Sequence, residues 1–138
     1  MAKAKLIIGG CTNYGINELK PWVLSVNEVM PNAHKVMCVG NATQETRDWL
    51  LANNFEIVNM PQVNIPVHVL RFLSIYNYLK DNWQRYEYVI TTDVKDVYFQ
   101  ADAFKFLDYN NIGTRDLNQL VCGTECLKYK DEAWGNEN

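Results

Sequence analysis

The chain has 138 residues, of which 48% are hydrophobic and 21% are charged, a composition typical of one globular domain with a substantial core. Its formal net charge of -3 disfavours a nucleic-acid binder that depends on phosphate neutralisation. Its apolar runs are much shorter than the roughly 20 residues that span a bilayer, and the sequence after Lys3 and Lys5 does not match a signal peptide. We therefore expect a single domain over residues 1–138.

The cysteines indicate the redox compartment. Cys11, Cys38 and Cys122 lie in or beside apolar, strand-like runs, as buried free thiols do. Cys122 and Cys126 have CxxxC spacing, but no second pair completes a zinc site. We predict four reduced thiols and a cytoplasmic protein.

The first half of the chain alternates short apolar runs with amphipathic segments. Lys5–Cys11 predicts a strand ended by Gly9 and Gly10, where glycines would let the backbone approach a ligand, although neither GxGxxG nor a P-loop is present. A helix is predicted over Asn17–Met30, with Pro21 in its first turn. The elements predicted next are a strand over His34–Val39, a helix capped by Asn41 or Thr43 and running to about Asn53, and a strand over Phe55–Asn59. This β-α-β-α-β order predicts a parallel sheet with right-handed crossovers.

A third helix is predicted from Val67 to about Trp83. Arg71, Ser74 and Tyr78 share one face of this helix. Arg71 is a candidate to meet a diphosphate, because a guanidinium matches phosphate geometry, or else it is a surface arginine paired with a carboxylate. The core stripe is predicted on another face, at Phe72, Ile75, Tyr76, Leu79 and Trp83.

The rest of the chain is organised around residues 88–99, YVITTDVKDVYF. Tyr88–Thr92 is β-branched or aromatic and predicts a buried strand. Asp93 and Asp96 follow at its carboxyl end, where open α/β sheets bind ligands. Two hard oxygen ligands so close in sequence suit Mg²⁺ or Mn²⁺, ions that usually share their coordination with substrate phosphates. The alternative is that Asp93 caps a turn and Asp96 pairs with Lys95 or a distant arginine.

Three further expectations concern the loops and the end of the chain. Tyr14, in the loop after the first strand, either stacks on a base or packs on the sheet edge. His34 is expected to be a solvated residue at the start of a strand. A short helical turn at Lys105–Leu107, a polar loop over Asp108–Asp116 and a strand over Leu120–Cys126 are predicted after the acidic stretch.

This order of elements resembles the nucleotide-sugar-binding half of a GT-A-fold glycosyltransferase. The phrases TTDVKDVYFQADAF and DEAWGNEN are similar to those of a less-studied subgroup found in viral, bacterial and algal proteins. The resemblance covers nearly the whole chain and is most specific at Thr91–Phe104. It implies a Rossmann-like α/β fold, with a mostly parallel sheet flanked by helices.

The resemblance implies metal-dependent transfer of a sugar from a nucleoside-diphosphate sugar, most often a UDP-sugar, to a glycan acceptor. In a DxD-type site the first acid contacts the ribose or the metal, and the last acid binds the Mn²⁺ or Mg²⁺ that holds the diphosphate. Asp93 and Asp96 match these acids, although the spacing here is DxxD with Lys95 inside it.

The same resemblance assigns the nucleotide-binding residues. Thr12, Asn13 and Tyr14 match the region that holds the base and ribose, and Arg71 matches a position near the nucleotide. Asp93 belongs to this set as well as to the metal site.

Proteins of this fold usually continue well past the WG-type segment with an acceptor-binding part, so the resemblance implies a chain that is the N-terminal part of a longer protein. Asp131 and Glu132 are candidates for a general base, or else solvated carboxylates near the chain end. Two other functions compete with the transferase. One is a non-catalytic nucleotide-binding domain, and the other is a phosphohydrolase of the haloacid-dehalogenase type, whose DxDx[TV] motif belongs on the first strand.

Overall fold

The computed structural model describes residues 3–109, which form an α/β fold with a sheet of four parallel strands. The strands are β1 (Ala4–Cys11), β2 (His34–Val39), β3 (Glu56–Asn59) and β4 (Tyr86–Thr91). The helices are α1 (Ile16–Val29), α2 (Gln44–Ala52), α3 (Val67–Asn82) and α4 (Ala103–Tyr109), and a 3-10 turn (Trp83–Arg85) joins α3 to β4. The predicted parallel sheet flanked by helices is confirmed.

The strand order β3-β2-β1-β4 creates a topological switch point. The chain steps outward from β1 through β2 to β3, and then crosses back so that β4 pairs with the opposite edge of β1. Helices α1 and α2 pack on one face of the sheet, and α3 packs on the other. Open sheets of this kind bind ligands in the crevice beyond the carboxyl ends of the two strands at the switch point, here β1 and β4.

Strand β1 lies in the middle of the sheet and is buried on both faces. Leu6 and Ile8 contact the α3 side, whereas Ile7 and Cys11 contact the α1 and α2 side. This double burial explains why the strand reads in the sequence as a continuous apolar run rather than as an alternating pattern.

The helix ends agree in part with the sequence. The cap of α2 is Thr43, whose Oγ1 accepts a hydrogen bond from the backbone N–H of Thr46 at 3.2 Å. The prediction that Pro21 lies in the first turn of α1 is wrong, because α1 begins at Ile16 and Pro21 lies beyond that turn. Pro21 has no N–H to donate to the carbonyl of Asn17, one turn earlier in the helix. Because Pro21 is exposed, that carbonyl lies near solvent.

The predicted core stripe of α3 is wrong at three positions. Phe72, Tyr76 and Trp83 are exposed, whereas Ser74 and Tyr78 are buried with Ile75 against the sheet. Helix α3 is apolar around most of its surface, so periodicity alone does not select the buried face. The Tyr78 hydroxyl lies 2.6 Å from the Tyr86 hydroxyl of β4, a polar contact that favours the observed face.

Strand β4, which leads into Asp93 and Asp96, is less buried than the sequence predicts. Strand β4 pairs with β1 but has no second partner strand among residues 3–109, and Val89 and Thr91 are exposed on the α3 side. The reason is that α3 packs over β1 and β2 and leaves that side of β4 open.

The remaining differences are at the two ends of the described residues. Helix α4 extends through Tyr109, so the beginning of the predicted loop Asp108–Asp116 is helical. The predicted strand Leu120–Cys126 lies outside the described residues. Cys11 and Cys38 are buried free thiols, as predicted. Within residues 3–109, none of the helices has the length and apolar character needed to cross a membrane.

Candidate functional site

The switch point brings together an arginine of α3 and the first acid after β4. Arg71 Nη1 lies 2.9 Å from Asp93 Oδ1. The Arg71 side chain is 23% exposed and that of Asp93 is 64% exposed, so the carboxylate reaches solvent while much of the arginine is covered. Arg71 thus lies beside the loop that follows β4 (residues 92–102, the acidic loop) and pairs with a carboxylate there. Its contact with a diphosphate stays a prediction.

The two glycines of β1 provide space for side chains. A Cβ at Gly10 would overlap Cγ of Arg71, and a Cβ at Gly9 would overlap Cγ1 of Val94. The glycines therefore let Arg71 and Val94 pack directly on the strand. The sequence predicts that these glycines admit a ligand to the backbone, but side chains fill that space.

The loop after β4 is anchored to α1. Trp22 Nε1 donates a hydrogen bond to Thr92 Oγ1 at 2.9 Å, and the Thr92 hydroxyl donates to the backbone oxygen of Asp93 at 2.9 Å. Further along the loop, the backbone N–H of Phe99 donates to Ser25 Oγ at 2.9 Å. With Val94 buried between these anchors, the neighbouring charged side chains of the loop remain exposed.

The second acid, Asp96, is exposed and has a φ of 62°, a left-handed conformation that is uncommon for residues other than glycine. Asp93 and Asp96 supply the hard oxygen donors that Mg²⁺ and Mn²⁺ accept. Among residues 3–109, no cluster of three or more acid, histidine or cysteine side chains could hold a metal ion. Two carboxylates would be enough for such an ion, because Mg²⁺ is usually held by one or two carboxylates, waters and substrate phosphates.

The loop after β1 is fastened to the end of β2. Thr12 Oγ1 accepts from the backbone N–H of Asn41 at 2.9 Å. Asn13 donates its backbone N–H to the Asn41 oxygen at 2.7 Å and accepts from Asn41 Nδ2 at 2.8 Å, with a φ of 64°. Tyr14 packs partly against the core, and Lys95 Nζ lies 5.6 Å from its ring centroid. Lys95 thus links this loop to the acidic loop, and both interpretations of Tyr14 remain open.

Three cavities lie along this edge of the sheet, and their charges differ. A cavity of about 710 Å³ is lined by residues that include Glu18 and Glu45, so it carries negative charge. A cavity of about 600 Å³ lies between the ends of β1, β2 and β3 and includes Arg47. The smallest, of about 220 Å³, contains the Arg71–Asp93 pair.

Arg47 is a candidate functional residue that the sequence reasoning missed. Its Nη1 donates to Asn59 Oδ1 at 2.8 Å, and its Nη2 donates to the backbone oxygen of Gly40 at 2.9 Å. Burial raises the pKa of Cys11 to about 12, and the nearby Arg47 charge opposes that rise. The only sequence signal was a cation in the first turn of the helix that follows β2.

Asp131 and Glu132, the general-base candidates, lie outside the described residues. Comparisons of the chain with protein-family models, with curated proteins and with solved structures found no match.

Proposed function

We propose that this chain is a metal-dependent glycosyltransferase of the GT-A type, which moves a sugar from a nucleoside-diphosphate sugar to a glycan acceptor. The observation that carries the proposal is the 2.9 Å contact between Arg71 and Asp93 at the switch point of a parallel sheet. A cation and an exposed carboxylate at this position match the needs of a diphosphate and its counter-ion.

Each residue of the site has a role in this proposal. Thr12, Asn13 and Tyr14 bind the base and ribose, Arg71 binds the diphosphate, and Asp93 contacts the ribose or the cation. Asp96 is the direct ligand of Mn²⁺ or Mg²⁺. Because Asp93 holds the Arg71 guanidinium in place, the positive charge that would pair with the phosphates is positioned before the nucleotide sugar binds.

The chemistry of the transfer explains why these charges are needed. When the nucleoside diphosphate leaves the sugar, negative charge develops on its phosphate oxygens. The fixed Arg71 guanidinium stabilises that charge without reorganisation, which is how electrostatic catalysis acts. Asp93 and Asp96 would hold a divalent ion that, when bound, would supply further charge neutralisation as a Lewis acid.

A non-catalytic nucleotide-binding domain is the second candidate function. The observation that favours it is the Arg71–Asp93 pair itself, because the two side chains neutralise each other without a metal ion. A phosphohydrolase of the haloacid-dehalogenase type is disfavoured, since Asp93 and Asp96 follow β4 and no acid follows β1 directly.

Calorimetric titration with UDP, GDP and their sugar conjugates, with and without Mn²⁺, tests the proposal. The transferase requires binding that strengthens with Mn²⁺ and loses this dependence in Asp96→Asn. The matched control is Asp81→Asn, an exposed acid on α3 that should bind as the wild type does. Nucleotide binding that ignores Mn²⁺ in the wild type would favour the non-catalytic domain, and an unchanged Mn²⁺ dependence in Asp96→Asn would rule out the proposed metal ligand.

Turnover separates a transferase from a binding module that also needs metal. The wild type should release the sugar from its preferred donor, to an acceptor or to water, and Asp96→Asn should not. Metal-dependent binding with no sugar release from any donor in the panel would leave only the binding function.

A further inference from the structure

The cavity between the ends of β1, β2 and β3 holds a positive charge that the proposed transferase does not use. It is lined by Arg47 together with polar residues and by the apolar side chains of Val39, Met60 and Leu70. None of the described residues that line it is acidic. We propose that this cavity is a binding site for an oxyanion, a phosphate or a carboxylate, centred on Arg47 rather than on Arg71 and adjoining the proposed nucleotide site at Thr12.

The first argument is that Arg47 lacks a counter-ion. No carboxylate lies within ion-pair distance of its guanidinium in the part of the chain that the structure describes. Its nearest acids along the helix are directed elsewhere, since Glu45 lines the larger cavity and Asp48 accepts from Gln44 Nε2 at 2.8 Å. A half-buried cation without a counter-ion is costly to maintain for structure alone, because burial of a charge is repaid fully only by ion pairing together with hydrogen bonds.

The second argument is geometric. Asn59 and the Gly40 carbonyl hold the two terminal nitrogens of Arg47, which fixes the plane of the guanidinium at the cavity wall. A guanidinium carries more N–H donors than these two contacts use, so donors remain for a ligand. Arginine N–H donors are well suited to the oxygens of phosphates and carboxylates.

The third argument comes from the other residues that line the cavity with Arg47. The polar residues Asn41, Asn59, Gln62 and Thr12 line the same cavity. The Thr12 oxygen accepts from the Asn41 backbone, which leaves its own proton to donate. The cavity therefore offers neutral donors around one fixed positive charge, in a volume of about 600 Å³ that exceeds a lone ion. The apolar residues on its other side suit a ligand that carries the oxyanion on an organic body.

The electrostatic contrast with the neighbouring cavity supports this assignment. The larger cavity is lined by Glu18 and Glu45 and would repel an anion. An anion that approaches this edge of the sheet is therefore attracted toward Arg47 or Arg71 and repelled from the larger cavity.

Titration of the folded chain with inorganic phosphate, and separately with acetate, tests the site by nuclear magnetic resonance. The side-chain amide of Asn59 reports binding in every variant, and the Arg47 Nε–H reports it in the wild type. Replacing Arg47 by glutamine should weaken the stronger of the two anions about ten-fold or more, because a charged hydrogen bond is lost. Arg85→Gln, at the opposite end of the sheet, should leave the affinity read at Asn59 unchanged.

Each outcome decides the proposal. A saturable shift of the Arg47 Nε–H, lost affinity in Arg47→Gln and unchanged affinity in Arg85→Gln would support it, and the more tightly bound anion would identify the ligand class. Unchanged affinity in Arg47→Gln, or an equal loss in Arg85→Gln, would overturn it. If Arg47→Gln fails to fold, the absence of a saturable Arg47 shift in the wild type would overturn it equally. The Arg71 resonances are separate, so this result does not depend on the proposed transferase.

Discussion

Polar side chains are paired with one another at one end of the sheet and are incompletely paired at the other. The amino edge is the end at which the strands begin, and the carboxyl edge is the end at which they finish. At the amino edge, the hydroxyls of Tyr78 and Tyr86 lie 2.6 Å apart, His34 Nδ1 lies 2.5 Å from the Tyr86 hydroxyl, and Glu56 Oε1 lies 3.9 Å from His34 Nε2. These groups contact one another across three strands and α3. At the carboxyl edge, the exposed carboxylates of the acidic loop and the guanidinium of Arg47 retain unused hydrogen-bonding capacity.

This difference shows where the chain can bind a ligand. Polar groups that hydrogen-bond to one another contribute to the fold and keep few free donors or acceptors for a ligand. Groups that are held in place but incompletely paired can still bind a ligand. Of the three non-glycine residues with positive φ among the described residues, Asn13 and Asp96 lie in the loops at the carboxyl edge, and Asn54 lies before β3. Substitutions at the amino edge should therefore affect stability alone, and substitutions that move the acidic loop should affect both stability and binding.

The largest effect is expected for Gly9→Ala. The new Cβ would overlap the buried Val94 side chain, which cannot move freely, so overpacking should cost about 1–3 kcal/mol of unfolding free energy. Displacement of Val94 should also move the acidic loop and weaken UDP binding. Denaturant unfolding and calorimetry measure the two losses.

Gly15→Ala is the matched control for this substitution. Its Cβ would lie 3.2 Å from Glu18 Oε2, the end of a flexible side chain that can move away. The loss of stability should be smaller, with UDP binding retained. If Gly9→Ala were as stable as the wild type, Val94 would not be the anchor of the acidic loop.

A similar loss of stability, without any loss of binding, is expected for Tyr86→Phe. Removing this hydroxyl leaves His34 Nδ1 and the buried Tyr78 hydroxyl without their partner, which should cost about 1–3 kcal/mol of unfolding free energy. Tyr76→Phe removes an exposed hydroxyl and should change neither property. Weakened UDP binding in Tyr86→Phe would show that the two edges are coupled. It would contradict the claim that substitutions at the amino edge affect stability alone.

The smallest effect is the pH dependence that His34 confers. Burial lowers the pKa of His34 below its ordinary value of 6.5, while Glu56 opposes this shift and Arg85 and Lys35 add to it. The unfolded chain then takes up the proton at a higher pH than the folded chain, so stability is lost as the pH falls below 6.5. The Tyr86 and Tyr78 hydroxyls are the other titratable groups that face this cluster.

His34→Gln should remove part of this slope. The difference in unfolding free energy between wild type and variant should shrink as the pH is lowered from about 7 to about 5, since only the wild type has the depressed histidine. His68→Gln, at an exposed position on α3, should keep the wild-type slope. Equal slopes in the wild type and His34→Gln would contradict the burial of His34 as the cause.

Much of the fold follows from local patterns in the sequence. The apolar runs predicted each of the four strands to within about two residues. For β1 and β2 the signal is continuous because these strands are buried on both faces. The Thr43 cap and the apolar stripe of α1 were also local. Both members of the Arg71–Asp93 pair were recognised as candidates from their positions beside the acidic strand, although their contact needed the structure.

The remaining features depend on contacts between distant segments. The buried face of α3 is set in part by Tyr78 meeting Tyr86, and no periodicity distinguishes that face on a helix with apolar residues all round. His34, predicted to be solvated, is half-buried because it meets Tyr86 across the sheet. Arg47 became a candidate only once the ends of β2 and β3 were seen to enclose it.

The affinity of Arg71→Ala for UDP and for uridine tests the central claim most directly. If Arg71 holds the diphosphate, the variant should lose about 1.5–3 kcal/mol of binding free energy for UDP and almost none for uridine, because uridine carries no phosphate to pair with the guanidinium. Calorimetry with Mn²⁺ present measures both. An equal loss for the two ligands, or no loss for UDP, would contradict the account and would leave Arg71 as a structural partner of Asp93.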